Sequence, residues 1–189
     1  MRRVIITGGI GSGKSVVSHM LLVMGYPVYD CDSRAIDLID TDSSLKAAIV
    51  ELLGKQAYDK NGHYDRQWVA QQVFTDRSLL DKINNLVHPA VLRDIERWSQ
   101  QQSGSYCFVE TALMRQSGLN MLADVIWRVT APDTLRIDRV RRRSGLTTHQ
   151  VKERIEAQRS KEAPFDEEIV LVNDGCHPLL PQVMAALQA

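Results

Sequence analysis

Cysteine is scarce in this chain, and the cysteines that occur form no pattern. Only three of the 189 residues are cysteines, Cys31, Cys107 and Cys176, and no two of them form a C-x-x-C pair. An odd, scattered set predicts neither a disulfide framework nor a cysteine-based zinc site. We therefore expect a protein of a reducing compartment, the cytoplasm.

Long apolar runs and an excess of charge are also missing. The first apolar run stops at Gly8, too early for a signal peptide, and no stretch approaches the roughly 20 apolar residues of a membrane span. Basic and acidic residues balance at 23 each, whereas proteins that bind nucleic acid usually have a basic excess. The sequence favours a soluble protein that binds neither membranes nor nucleic acid, as a monomer or a small homo-oligomer.

Apolar strands alternate with helical segments along the chain. Segments with helical periodicity, such as KSVVSHMLLVMG with its natural C-cap at Gly25, lie between runs rich in β-branched and aromatic residues. Those runs are RVIIT, YPVYD, YCFVET, DVIWRVTAP and EEIVLVNDG. Continuous apolar strands separated by helices predict an α/β fold, with a parallel five-stranded sheet covered on both faces.

Two stretches are longer than a crossover between strands requires. Residues 33–102 hold three helix-like segments, SSLKAAIVELLG, DRQWVAQQVF and HPAVLRDIERW, and residues 133–160 are helical and rich in arginine. We predict one domain over 1–189, with a helical substrate subdomain at 33–102 and a lid at 133–160. The predicted nucleotide-binding core comprises 1–32, 103–132 and 161–189.

A glycine-rich segment, Gly8 to Ser15, follows the first predicted strand and satisfies the pattern G-x-x-x-x-G-K-S. Its glycines permit the dihedral angles with which backbone N–H groups converge on phosphate oxygens, and the next helix points its positive end at them. Lys14 would contact the β- and γ-phosphates, and the Ser15 hydroxyl would bind Mg²⁺. The segment, called the phosphate loop below, predicts a site for a nucleoside triphosphate.

Other nucleotide-binding classes fit less well. The G-x-G-x-x-G of dinucleotide-binding folds fails because Lys14 stands at the third glycine position. The N-K-x-D of GTPases and the L-S-G-G-Q of transport ATPases do not occur, and DKNG at 59–62 is typical of a polar turn. Helical insertions favour a small-molecule kinase, in which one insertion holds the acceptor and the other closes over the phosphates and excludes water.

Two aspartates, Asp30 and Asp32, follow the second predicted strand. They would lie at the carboxyl edge of the sheet, where α/β proteins bind ligands. In a loose phosphoryl-transfer transition state, a carboxylate there orients the acceptor hydroxyl and takes its proton late. Period-two alternation does not decide which of the two is the functional acid. Alternatively, Asp32 caps the helix SRAIDLI that follows it.

Short motifs along the whole chain, taken in order, resemble those of dephospho-CoA kinases. The segments TGGIGSGKS and YDCD look like the phosphate loop and the D-x-D of that family. NGHYDR resembles its G-x-x-D-R, LVHPAV its I-x-H-P, RVRRRSGL its R-x-x-x-R-x-G-L, RIEAQ its R-I-x-x-Q, and NDG its late N-x-G turn. The resemblance implies a three-layer P-loop kinase fold and transfer of phosphate from ATP to the ribose 3′-hydroxyl of dephospho-CoA, the last step of CoA synthesis.

The resemblance also implies roles for single residues. Lys14, Asp32 and Arg139 would act in catalysis, with Asp32 facing the acceptor hydroxyl. The acceptor would be bound by Asp32, Arg66, His88 and Leu113. ATP would be bound by Gly8, Gly11, Ser12, Gly13, Lys14, Ser15, Val16, Arg143 and Asn173, with Asn173 near the adenine. Ser15 would bind Mg²⁺ together with the ATP phosphates.

The arginines of the predicted lid have alternative interpretations. Arg136, Arg139 and Arg143 are spaced so that they share one helical face, which could simply be solvated. A stripe for nucleic acid is a further alternative, but it would be short, and the chain is neutral. We favour the lid. Gln158, the last residue of RIEAQ, could serve only to brace the lid helix.

Two residues of the predicted substrate subdomain also have structural alternatives. His88 precedes Pro89, and proline suits the first position of a helix, so His88 could merely open one. Arg66 could cap a helix or pair with its neighbour Asp65.

One stretch departs from the family pattern. Where the family usually shows D-x-P-L-L-F-E, this chain has Glu110 and Ala112, then Arg115 and Gln116 in place of an aromatic and an acid. Glu110 keeps an acid that could act on Mg²⁺ through water, whereas the other changes put the fit of the acceptor in doubt. The alternatives are therefore a kinase of another small molecule, such as a nucleoside or nucleotide, and a catalytically weak regulator that binds ATP.

Overall fold

A computed structural model describes residues 1–76, 78–112, 114–159, 165 and 167–189, and only the backbone of residues 115 and 116. The strands are β1 (Arg2–Thr7), β2 (Val28–Asp30), β3 (Tyr106–Glu110), β4 (Val125–Thr130) and β5 (Ile169–Val172). The helices are α1 (Lys14–Val23), α2 (Cys31–Thr41), α3 (Ser43–Leu53), α4 (Arg66–Thr75), α5 (Ser78–Gln100), α6 (Met114–Ser117), α7 (Asp133–Ser144), α8 (Thr148–Arg159) and α9 (Leu179–Ala186). The chain divides into two compact units, Met1–Asp30 with Gln101–Ala189, and Cys31–Gln100.

The first unit is built on a parallel sheet. Its described strands pair in the order β2-β3-β1-β4-β5, and every pairing is parallel. β1 lies in the centre, and its residues Val4, Ile5 and Ile6 are fully buried, as a continuous apolar run requires when both faces of the sheet are covered. The prediction of a parallel five-stranded sheet with flanking helices is confirmed.

The main core of the first unit joins the sheet to α1 and α9. Val17 and Leu21 of α1 and Val183 of α9 belong to one buried cluster with Trp127 and Phe108 of the sheet. The Trp127 and Phe108 rings lie 5.2 Å apart in a tilted arrangement, a contact that adds to their burial. This packing fixes α1 against β1, so the connection between them, the phosphate loop, has both ends anchored. Gly25 follows the helix with φ +86°, and Met24 before it is the C-cap.

The second unit is a helical assembly of α2 to α5. Asp42 caps α3 by accepting from the backbone N–H groups of residues 44 and 45, and Asp65 caps α4 by accepting from that of residue 68. Arg34 of α2 donates to Asp94 of α5 at 2.8 Å, and Asp94 is buried. The DKNG segment is a turn, as predicted, in which Asp59 accepts bonds from the backbone N–H groups of residues 61 and 63.

Two helix boundaries in the second unit differ from the predictions. α2 begins at Cys31, so Asp32 lies inside its first turn and does not cap it. α5 begins at Ser78 and holds Pro89 in its interior, so His88 does not open a helix. Pro89 removes one backbone hydrogen bond, yet buried residues recur every four positions across it, at Ile83, Val87, Val91 and Ile95. Burial of that continuous apolar stripe outweighs the local break.

Candidate phosphate-binding site

The phosphate loop joins β1 to α1 and passes close to its neighbours. Gly8, Gly11 and Gly13 have φ of +144°, +77° and +97°, the region that favours glycine. A Cβ on Gly11 would lie 2.6 Å from the carbonyl oxygen of Arg136, and a Cβ on Gly8 or Gly13 would collide with Val129 or Asn173. Gly8 and Gly11 are therefore required both by their dihedral angles and by nearby backbone, whereas Gly13 is required by its dihedral angle and adjoins the movable amide of Asn173.

Lys14 is the first residue of α1, and its side chain turns back over the loop. Its Nζ donates to the Gly8 carbonyl at 2.7 Å and lies 3.4 Å from that of Gly9. Ser15 and Val16 are exposed beside it, at the positive end of the helix, whereas the Ser12 side chain is buried. Within the part of the chain that the structure describes, the Ser12 hydroxyl has no hydrogen-bond partner.

Arg139 and Asn173 lie against the loop. Arg139, on α7, contacts the carbonyl oxygens of Gly11 and Ser12 at 3.4 and 3.3 Å and donates to the backbone carbonyl of Asn173 at 3.0 Å. Asn173, directly after β5, donates from Nδ2 to the Ser12 carbonyl at 2.9 Å. A cation and an amide from distant parts of the chain thus meet at the loop with Lys14.

The turn after Asn173 is also fixed by hydrogen bonds. Asp174 accepts from the backbone N–H groups of Cys176 and His177 and pairs with the His177 ring at 2.7 Å. These bonds stabilise the carboxylate and hold the pKa of Asp174 well below its usual range.

Helices α7 and α8 pack against each other beside the loop, around a small hydrophobic cluster. Val140, Val151 and Ile155 are buried together there. Arg136 donates from Nε to the Ile10 carbonyl at 2.9 Å, and Gln158 accepts from the Ile10 N–H at 2.7 Å. The interpretation of the arginine face as simply solvated is therefore wrong for Arg136 and Arg139, whereas Arg143 is exposed.

Carboxylates stand at the ends of two neighbouring strands of the first unit. Asp30 ends β2 and Glu110 ends β3, and the two are register partners. Asp30 is exposed and Glu110 half-buried. Asp30 and Glu110 therefore lie at the carboxyl edge of the sheet, which is also the edge at which the phosphate loop begins.

Three of the residues predicted to bind the acceptor belong to the second unit. Asp32 and Arg66 are exposed, in the first turns of α2 and α4, and His88 is half-buried within α5. Asp65 accepts from the Trp68 N–H at 2.8 Å, so it caps α4. Leu113 lies outside the described residues, as do the side chains of Arg115 and Gln116.

Sequence reasoning missed the contacts of Ile10. Neither the pairing of its backbone with Arg136 and Gln158 nor the packing of its side chain against the α7–α8 core was predicted. The available signal was the position of Gln158 in RIEAQ, for which only a bracing role in its helix was considered.

Among the described residues, no helix is long and apolar enough to span a membrane. No three histidine, cysteine, aspartate or glutamate side chains among them cluster as a metal site.

Comparisons with known proteins agree with this architecture. The family model described as Dephospho-CoA kinase matches residues 2–178. A Porphyromonas gingivalis protein named dephospho-CoA kinase is 37% identical over 185 residues, which cover 97% of this chain and 91% of the relative. The crystal structure of TT1252 from Thermus thermophilus has a TM-score of 0.78 and 29% identity, covering 99% of this chain and 94% of that one. The dephospho-CoA kinase of Campylobacter jejuni shares the fold, with a TM-score of 0.69, 21% identity and coverage of 100% and 96%. The chain belongs to the dephospho-CoA kinase family.

Proposed function

We propose that the protein transfers the γ-phosphoryl group of ATP to the ribose 3′-hydroxyl of dephospho-CoA, giving CoA and ADP. The observation that carries the proposal is the convergence of Lys14 and Arg139 on a glycine-rich loop, in a chain of this family. Phosphoryl transfer depends mainly on positioning and on stabilisation of charge, and two cations beside such a loop supply both.

On the donor side, the loop holds the ATP phosphates. Its glycines leave room for the close approach of phosphate oxygens, and Lys14 exchanges its bond to the Gly8 carbonyl for the β- and γ-phosphates. Ser15 is exposed beside Lys14, so its hydroxyl can bind Mg²⁺, and Glu110 can act on the ion through water. Bound Mg²⁺ would supply neutralisation of phosphate charge.

The arginines of α7 act on the transferring group. Arg139 makes only long bonds of 3.3 and 3.4 Å to the loop carbonyls, so its guanidinium can exchange them for phosphate oxygens at little cost. Arg143 is exposed one turn further along α7 and is available to ATP. Asn173 and the turn after it would border the adenine, and the Asp174 bonds would hold that turn rigid.

On the acceptor side, Asp32 orients the ribose hydroxyl and receives its proton late in the reaction. Asp32 is exposed in the first turn of α2, where a ligand can reach its carboxylate. Arg66 and His88 would bind the charged and polar groups of dephospho-CoA, and Leu113 would contribute to the same site. The substrate subdomain and the lid, 33–102 and 133–160, are part of the proposal.

The proposal includes a cytoplasmic location and action on small molecules, without nucleic acid, as a monomer or a small homo-oligomer. All three cysteines lie in the described part of the chain and none forms a disulfide there, which is compatible with a reducing compartment.

The test is a coupled assay of ADP formation with Mg-ATP and dephospho-CoA, with the product identified as CoA by mass. We expect ADP formation that depends on dephospho-CoA and on Mg²⁺, and little with a panel of nucleosides and nucleotides. Transfer to one of those instead would identify a kinase of another small molecule. Binding of ATP without transfer to any acceptor would identify a regulator, and either result would contradict the proposal.

A further inference from the structure

Ile10, in the phosphate loop, is held at three points by the helix pair α7–α8. Its N–H donates to Gln158 Oε1 at 2.7 Å, and its carbonyl accepts from Arg136 Nε at 2.9 Å. Its side chain packs against the buried cluster of Val140, Val151 and Ile155. Both backbone groups of one loop residue are therefore satisfied by side chains of two different helices.

These contacts are close and partly desolvated. The Arg136 side chain is only 13% exposed and is also paired with Asp133 at 3.2 Å, which orients its guanidinium. Asp133 is paired in turn with Arg159, at the end of α8, at 2.5 Å. α7 approaches the loop so closely that a Cβ on Gly11 would meet the backbone of Arg136. A chain of polar contacts thus runs from Arg159 through Asp133 and Arg136 to the Ile10 carbonyl of the loop.

The Ile10 contacts are shorter than those of Arg139. Arg139 lies one turn along α7 from Arg136, and its bonds to loop carbonyls measure 3.3 and 3.4 Å, against 2.7 and 2.9 Å at Ile10. Short, well-formed bonds fix a position, whereas long ones are readily exchanged. The two Ile10 bonds therefore act together with the 3.0 Å bond from Arg139 to the Asn173 carbonyl in fixing α7 beside the loop.

We propose that Ile10, Arg136 and Gln158 form a latch that holds the helix pair and the phosphate loop as one unit. Arg136 and Gln158 are then positioning residues, which act on ATP through the loop and through Arg139. The role in phosphoryl transfer rests on the proposed function, whereas the role in ATP binding does not. Opening the latch loosens the hold on ATP and admits water to the transferring group.

The test replaces the acceptor oxygen of Gln158. Gln158→Leu leaves the Ile10 N–H unpaired, whereas Gln158→Glu keeps an oxygen for it. The matched control is Gln150→Leu on the same helix, because Gln150 Oε1 accepts from the Thr147 N–H at 2.9 Å, away from the loop. We would measure the Kd of ATP by calorimetry, KM for each substrate, ADP formed without acceptor, and the thermal midpoint of each variant.

We expect Gln158→Leu to raise the Kd and KM for ATP about tenfold, the usual effect of one unpaired buried donor, and to leave KM for dephospho-CoA unchanged. ADP formed without acceptor should rise relative to transfer. Gln158→Glu should restore ATP affinity to within about threefold of the original protein. Gln150→Leu loses an exposed bond, so it should lower the thermal midpoint by less than Gln158→Leu does and change none of the kinetic constants.

The latch is wrong if Gln158→Leu binds ATP as the original protein does, or if Gln150→Leu weakens ATP binding equally. Should Gln158→Leu not fold, Arg136→Lys decides in the same assays, since it keeps the charge but loses the Nε–H. Unchanged ATP affinity in that variant overturns the latch, and a rise of several-fold supports it. If the original protein binds ATP but does not phosphorylate dephospho-CoA, the proposed function fails while the binding measurements still decide the latch.

Discussion

At the level of single residues, two aspartates, Asp32 and Asp30, are candidates for the acid that orients the acceptor hydroxyl. Asp32 lies in the first turn of α2, where the helix dipole favours a negative charge, and Asp30 ends β2 beside Glu110. Both side chains are exposed. Their distinction is therefore one of position.

We expect Asp32→Asn to lower kcat by about 100-fold or more and to leave the Kd of ATP nearly unchanged, because the amide cannot accept the proton of the acceptor hydroxyl. Steady-state kinetics and ATP titration would check this, with Asp30→Asn as the matched control. Full turnover in Asp32→Asn together with a large loss in Asp30→Asn would transfer the role to Asp30.

A second prediction concerns Gly11. Gly11→Ala places a Cβ at positive φ against the backbone of Arg136, which no side-chain rearrangement relieves. We expect ATP affinity to fall by at least tenfold. Gly25→Ala has a similar φ, +86°, but open space around the Cβ, so it should cost about 1 kcal/mol of stability and no ATP affinity. Equal ATP binding by the two variants would contradict the assignment of the loop contacts.

The phosphate loop could be predicted from the sequence residue by residue, and the latch could not. The loop needs glycine and lysine at fixed spacing for local reasons, which a pattern of eight residues records. The pairing of Ile10 with Gln158 spans 148 residues and depends on how α7 and α8 pack, which no local pattern encodes. The bond from Asn173 to the Ser12 carbonyl, across 161 residues, is equally out of reach of a local pattern, although the family resemblance already implied that Asn173 binds ATP.

At the level of elements, boundaries were the least predictable feature. The strands follow from apolar runs, and their positions agree with the structure to within about two residues at most ends. α5 could not be bounded from local signals, because Pro89 is typical of a helix start whereas the buried stripe continues on both sides of it. Burial of the apolar face of α5 outweighed the preference of Pro89 for a helix start.

The segment NGHYDR illustrates how one motif divides between structure and function. Asp65 is the N-cap of α4, whereas its neighbour Arg66 is exposed. Gly62 has φ +81°, and its carbonyl oxygen accepts a hydrogen bond from the Lys46 ammonium at 2.5 Å. Gly62 and Asp65 thus stabilise the turn, whereas the binding of the acceptor by Arg66 stays a prediction.

We therefore expect Asp65→Ala and Arg66→Met to have separable effects. Asp65→Ala loses the cap and should lower the free energy of unfolding by about 1 kcal/mol, with Asp65→Asn restoring most of it. Arg66→Met should leave stability unchanged and raise KM for dephospho-CoA about tenfold, because a charge-assisted bond is lost. Denaturant titration and kinetics would check both. An increase in KM for Asp65→Ala equal to that for Arg66→Met would refute the division.

At the level of the whole molecule, ATP should stabilise the fold by mass action. At an ATP concentration about 100 times its Kd, the native state gains about 2.7 kcal/mol, which raises the thermal midpoint by roughly 5–10 °C in a chain of this size. Lys14→Ala should lose most of this shift. Lys60→Ala, an exposed lysine in the turn at 59–62, should keep it. A shift that survives in Lys14→Ala would place ATP elsewhere.

The central position of β1 has a consequence for biosynthesis. β1 pairs with β3 and β4, and its Val4 meets Val125 roughly 120 residues further along the chain. At about 5–20 residues per second, a ribosome needs on the order of ten seconds to make that stretch. The unit Cys31–Gln100 is contiguous and can complete its own contacts meanwhile. Val4, Ile5 and Ile6 remain without neighbouring strands until β3 and β4 emerge, so we expect the strand that leads into the phosphate loop to be a binding site for chaperones during translation.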